Sequence, residues 1–142
     1  MPIINRIADF HDDMITWRRD LHAHPETAFE EVRTSGIVAE MLKKFGLRVH
    51  RGLAGTGVVG TLGNGEGPAI GLRADMDALD VPEANDFAHK STHDGKMHAC
   101  GHDGHTVMLL GAARYLAETR NFKGTVHFIF QPAEENEGGA RV

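Results

Sequence analysis

Along this chain the apolar residues recur first at helical spacing, then in short strand-like runs, then at helical spacing again, and finally in one more strand-like run. That alternation constrains the fold most, because each period suits one kind of element and neither element buries its apolar face alone. Ile7, Phe10, Met14, Trp17 and Leu21 fall three and four apart, which predicts an amphipathic helix over residues 3–23. Pro25 ends it, since the residue before a proline is pushed out of helical geometry. A second helix is expected over 28–45, with Ile37, Val38, Met41, Leu42 and Phe45 on its apolar side and Gly46 at the stop position. Residues 48–50, 56–62, 69–74 and 126–130 read as strands, with a turn at Gly63-Asn64-Gly65. Residues 106–118 return to the helical period. Between them, residues 80–97 form a long irregular stretch of the kind that more often carries function than idles. Helices interleaved with buried strands predict an α/β sandwich.

A length of 142 residues suits one domain, and the net charge of -5 offers no basic excess to neutralise phosphates. Nucleic acid is therefore not an expected partner. No apolar run approaches the ~20 residues of a membrane helix, and Met1-Pro2-Ile3 lacks the profile of a secretory signal. The one cysteine, Cys100, cannot form an internal disulfide, which fits a reducing compartment and an expected cytoplasmic location. Ten histidines point to metal or acid–base work.

The densest chemistry is His98-Ala99-Cys100-Gly101-His102-Asp103-Gly104-His105, which puts three imidazoles, a thiol and a carboxylate within eight residues. These are good donors for a borderline metal such as zinc, and the glycines let Cys100 and His102 turn toward one point. A helix expected to open at His105 would favour a Cys100 thiolate. Taken alone, Cys100 also reads as a buried free cysteine. Glu134 and Glu135 follow a strand and Pro132, where one carboxylate could bind a metal while the other takes a proton from water. Adjacent acids are equally common on solvated surfaces. Asp75 and Asp77 lie at another strand end, alternate onto one side, and could orient a histidine through its second nitrogen or merely cap a loop. His22 and His24 sit at a helix end, where capping and packing are the simpler reading.

With these motifs the chain resembles the M20 metallopeptidase family, in its hippurate hydrolase and auxin-conjugate amidohydrolase branch. The resemblance runs over nearly the whole length: Arg18 to Glu26, Gly71 to Leu79, Met97 to His105, and Phe130 to Glu135. It implies the N-terminal part of a dinuclear-metal catalytic domain, a three-layer α/β sandwich around a mixed sheet. It also implies two divalent ions, manganese, zinc, cobalt or nickel. Cys100 would bridge them, His102 and Glu135 would be further ligands, and Glu134 would be the general base. Asp75 stands where other members carry a ligand histidine, so Asp75 and Asp77 are expected to support the ligands. The implied reaction is hydrolysis of the amide bond of N-acyl amino acids by activated water. A homo-oligomer is left open.

Members of that family supply two more histidine ligands and a dimerising, closing domain. Residues 1–142 are therefore expected to be an N-terminal part that ends early, inactive alone. Two other classes stay open: a non-catalytic metal module, which His98 or His105 would help to close, and an assembly fragment whose sheet edge another chain covers.

Overall fold

The computed structural model describes residues 5–135 and 138–142. Four helices, α1 (Asn5–Ala8), α2 (His11–Ala23), α3 (Val32–Lys44) and α4 (His102–Thr119), combine with strands β1 (Arg48–Leu53), β2 (Gly57–Asn64), β3 (Ala69–Asp75) and β4 (Gly124–Gln131). The sheet order is β1-β2-β4-β3, antiparallel except for the parallel β3–β4 pair. This is the expected α/β class with a mixed sheet. Val58, Leu62, Phe128 and Phe130 of the sheet share one core with Val38 and Leu42 of α3 and Leu109, Leu110 and Ala113 of α4. Trp17 of α2 packs against the edge of that core.

The three predicted helices each start or break differently from the sequence expectation, and among the strands β1 runs on to Leu53 and β2 through Gly63 and Asn64, where the sequence predicts a turn. The first predicted helix is two helices, broken where Phe10 turns fully inward beneath the Arg6 and Arg114 guanidinium groups. Residues 3 and 4 of that prediction lie outside the described residues. The second helix begins only at Val32, after a turn in which Phe29 takes a left-handed φ of 61°. Its free N–H groups at Arg33 and Thr34 are capped from a distance by the Glu26 carboxylate, at 2.9 and 2.8 Å. The third helix starts at His102 rather than His105, so His102 belongs to its first turn. Gly46 has the positive φ, 84°, that its stop position requires, and residues 80–97 contain no helix or strand.

The β3–α4–β4 unit positions the functional residues. A parallel pair needs a crossover, and a crossover helix starts near the carboxyl end of the strand before it. Asp75 pairs in register with Gln131. The residues just beyond β3, those just beyond β4 and the first turn of α4 are thereby brought to one end of the sheet, where ligands of open α/β sheets gather.

Candidate metal centre

Four sequence-distant segments meet at that end. Gly101, at a left-handed φ of 102°, lets the chain reverse between the exposed Cys100 and the buried His102. Nδ1 of His102 faces two acceptors, the Asp77 carbonyl oxygen at 2.9 Å and Asp77 Oδ1 at 3.2 Å. Both are acceptors only, so Nδ1 carries the proton and donates, leaving the Nε2 lone pair free. Burial opposes charging this ring, but Asp77 and Asp75 outweigh it and raise the imidazole above its ordinary pKa. The same Asp77 accepts from the Glu135 backbone N–H through Oδ2, at 3.0 Å. One carboxylate therefore fixes both His102 and Glu135.

On the far side of His102, Nε2 lies 3.6 Å from Glu135 Oε1 and 3.9 Å from Glu134 Oε2. Donor atoms of Cys100, His102 and Glu135 all lie within 4.8 Å of one another. Among the described residues Glu135 Oε1 is buried and meets no N–H or O–H donor, and the Cys100 thiol beside the carboxylate is only a weak one. A buried carboxylate oxygen left bare is costly unless a cation completes it. Sulfur, imidazole nitrogen and carboxylate are also the donor types that hold zinc-like divalent ions. These residues fit a metal.

A second group, Asp75, His102 and His105, is equally close-set. It fits a metal less well, because Asp75 is already occupied. Its Oδ1 lies 2.7 Å from His105 Nδ1 and its Oδ2 accepts from Arg73 at 2.8 Å. Among the described residues neither His98 nor His105 joins the group around Cys100.

The expectation of a thiolate at Cys100 is overturned for the metal-free chain. Glu135 as an acceptor beside the sulfur, partial burial, and the charges of Asp75 and Glu134 push the thiol up to about 11. Carboxylates nearby outweigh the helix N-terminus, whose influence fades within a turn. In chelator at pH 8, Cys100 is expected to alkylate slowly, and Glu135→Gln to speed alkylation about tenfold by restoring thiolate. An unchanged rate in that variant, followed with iodoacetamide, would contradict the assignment.

His22 and Asp103 have structural work. His22 is buried with Nδ1 2.8 Å from Asp103 and Nε2 3.1 Å from Glu83, while Arg18 donates to Asp103 at 3.1 Å. These contacts tie α2 and the 80–97 loop to the first turn of α4. His24 Nδ1 contacts the Asp20 carbonyl at 2.8 Å, the capping position expected of it. Sequence reasoning missed Glu26, Glu31 and Glu83, because an acid whose partners lie on distant segments has no periodic or spacing signature.

The chain is similar to proteins named as hydrolases and peptidases. It is 52% identical to an Arabidopsis thaliana protein named IAA-amino acid hydrolase ILR1-like 4, over 94% of this chain and 30% of that protein. It is 47% identical to the hippurate hydrolase of Campylobacter jejuni, over 100% of this chain and 37% of that enzyme. Among solved structures it superposes with a TM-score of 0.89, at 44% identity, on the Bacillus subtilis YXEP protein, a dinuclear metal binding peptidase from the M20 family; the match covers 94% of this chain and 38% of that one. The chain thus spans about a third of the length of the relatives it matches. A family model described as peptidase family M20/M25/M40 matches residues 71–142, from the strand ending in Asp75 through the turn that bears Glu134 and Glu135, and the chain belongs to that family.

Proposed function

We propose that residues 1–142 are the N-terminal part of a metal-dependent catalytic domain that hydrolyses the amide bond of N-acyl amino acids, hippurate-like compounds among them. The observation that carries this reading is the bare, buried Glu135 oxygen facing Cys100 and the free Nε2 of His102, with Glu134 beside them. Relatives named as hydrolases of IAA-amino acids, hippurate and N-acyl-L-amino acids support the bond type.

In this reading Cys100, His102 and Glu135 would hold divalent metal; manganese, zinc, cobalt and nickel all suit the donor set. Bound metal supplies Lewis acidity, which polarises the amide carbonyl and lowers the pKa of water. The chain's own residues do the rest. Asp77 holds His102 in the tautomer that presents Nε2 and anchors the backbone of Glu135. Asp75 sits behind, engaged with His105 and Arg73. Glu134, about two-fifths exposed, accepts the proton of the attacking water and passes it to the departing amine. The substrate is a small molecule, and neither nucleic acid nor a membrane is a partner. No helix among the described residues is long and apolar enough to cross a membrane. The reading places the protein in the cytoplasm and admits a homo-oligomer.

Among the described residues the group around Cys100 offers three donors, fewer than two ions need, so in this reading the stretch by itself carries an incomplete centre. Dialysis against zinc or manganese followed by elemental analysis is expected to leave fewer than two tightly held ions per chain, and no hydrolysis of N-benzoylglycine. Two retained ions, or turnover, would overturn the incomplete-centre reading.

A further inference from the structure

Glu31 is a carboxylate with no exposed surface, and no Lys, Arg or His among the described residues pairs with it. Burying such a group is unfavourable unless hydrogen bonds replace the lost water. Its two oxygens are taken by two distant segments. Oε2 accepts from the Thr56 hydroxyl at 2.6 Å, at the turn between β1 and β2. Oε1 accepts from the backbone N–H of Ala133 at 2.9 Å.

Ala133 is the residue before Glu134 and Glu135, and it holds a left-handed φ of 51° without being glycine. A side chain resists that conformation, so the turn persists only where its surroundings impose it. Its side chain is fully buried and its carbonyl accepts from Gly139 N–H at 2.9 Å. The left-handed residue reverses the chain after β4 and aims the two glutamates back toward His102. From the other side, Asp77 holds the Glu135 N–H. The turn is thus pinned at both ends by buried carboxylates, one from the site and one from the start of α3.

We propose that Glu31 is a positioning residue of the metal centre: by holding the Ala133 N–H it fixes the turn that carries Glu134 and Glu135, and Thr56 fixes Glu31 in turn. This rests on the assignment of Cys100, His102 and Glu135 as ligands. It gives the first helix-forming half of the chain a part in a site whose donors all lie after residue 99.

The test is a Co²⁺ titration of the chain, read by the thiolate-to-cobalt charge-transfer band and the ligand-field bands, with melting followed in parallel. Glu31→Leu keeps the bulk and removes both hydrogen bonds. It is expected to weaken Co²⁺ roughly tenfold and to shift the ligand-field bands. Glu31→Gln still accepts from Ala133 and can donate to Thr56, so it is expected to retain wild-type affinity and spectrum. Thr56→Val, which frees one oxygen only, is expected to fall between them. A folded Glu31→Leu that binds cobalt with wild-type affinity and spectrum, whatever its melting temperature, overturns the inference. Should that variant not fold, Thr56→Val decides, and unchanged affinity and bands there overturn it equally. Failure of the ligand assignment is distinguishable, because the wild-type chain would then lack the charge-transfer band or Cys100→Ser would keep it.

Discussion

Glu134→Gln is expected to lower hydrolysis of N-benzoylglycine by about 10²- to 10⁴-fold, the range for losing a positioned general base, while leaving metal content unchanged. The separation follows from geometry. Glu135 Oε1 is buried beside Cys100 and His102, whereas Glu134 is substantially exposed and stands farther from His102 Nε2, at 3.9 Å against 3.6 Å. An exposed carboxylate at the rim can meet both water and solvent. A buried one that meets no N–H or O–H donor among the described residues is suited to a cation. Glutamine keeps the size and removes the proton acceptor, so activity falls and metal binding does not. The assay belongs on a chain of the relatives' full length, with metal measured on the same sample. Loss of metal in Glu134→Gln would reassign the residue as a ligand. Full activity would remove it from the mechanism.

The second large effect is expected at Asp77. Asp77→Asn should weaken metal binding by roughly 10- to 100-fold, as loss of a ligand's supporting partner commonly does. Asp77 accepts from two donors, His102 Nδ1–H and the Glu135 N–H, through different oxygens. An asparagine amide must turn its NH₂ toward one of them, setting donor against donor. The Asp77 carbonyl oxygen, unaffected by the substitution, still accepts from Nδ1 at 2.9 Å, which favours the lower end of that range. Burial works against the charged form of Asp77, yet these hydrogen bonds hold its carboxyl below the usual range. Because the pKa is depressed in the folded chain, the contribution of Asp77 to stability is complete above the ordinary carboxylate pKa. It is lost as pH falls through the lower folded value. At neutral pH the clamp is intact, so a Co²⁺ titration there reads the substitution directly. Equal affinity in the two chains would mean that Asp77 does not orient His102.

Much of the site is legible from local pattern. Cys100 and His102 stand two residues apart with a glycine between them, and Glu134 and Glu135 follow a strand and a proline, so donor types and a tight turn can be read directly. The strands and helices are equally legible, because the burial of Val58, Leu62, Val126, Phe128 and Phe130 obeys the alternation their spacing predicts. Less legible is where helices break. The helical spacing through Phe10 is uninterrupted, and the break there accompanies the burial of its ring beneath Arg6 and Arg114. The delayed start of α3 likewise depends on Glu26, which caps it from outside the helix.

The sequence by itself determined the class of fold and the candidate donor types clustered around residues 98–105 and 134–135, since periodicity and residue type are local properties. Only the tertiary structure decided that Asp77 serves His102 and Glu135 together, that Asp75 is spent on His105 and Arg73, and that Cys100 is held as a thiol when no metal is bound. Each of these depends on the parallel register that sets Asp75 against Gln131. That register brings together groups dozens of residues apart and buries them, and burial leaves each polar atom only the partners the fold puts within reach.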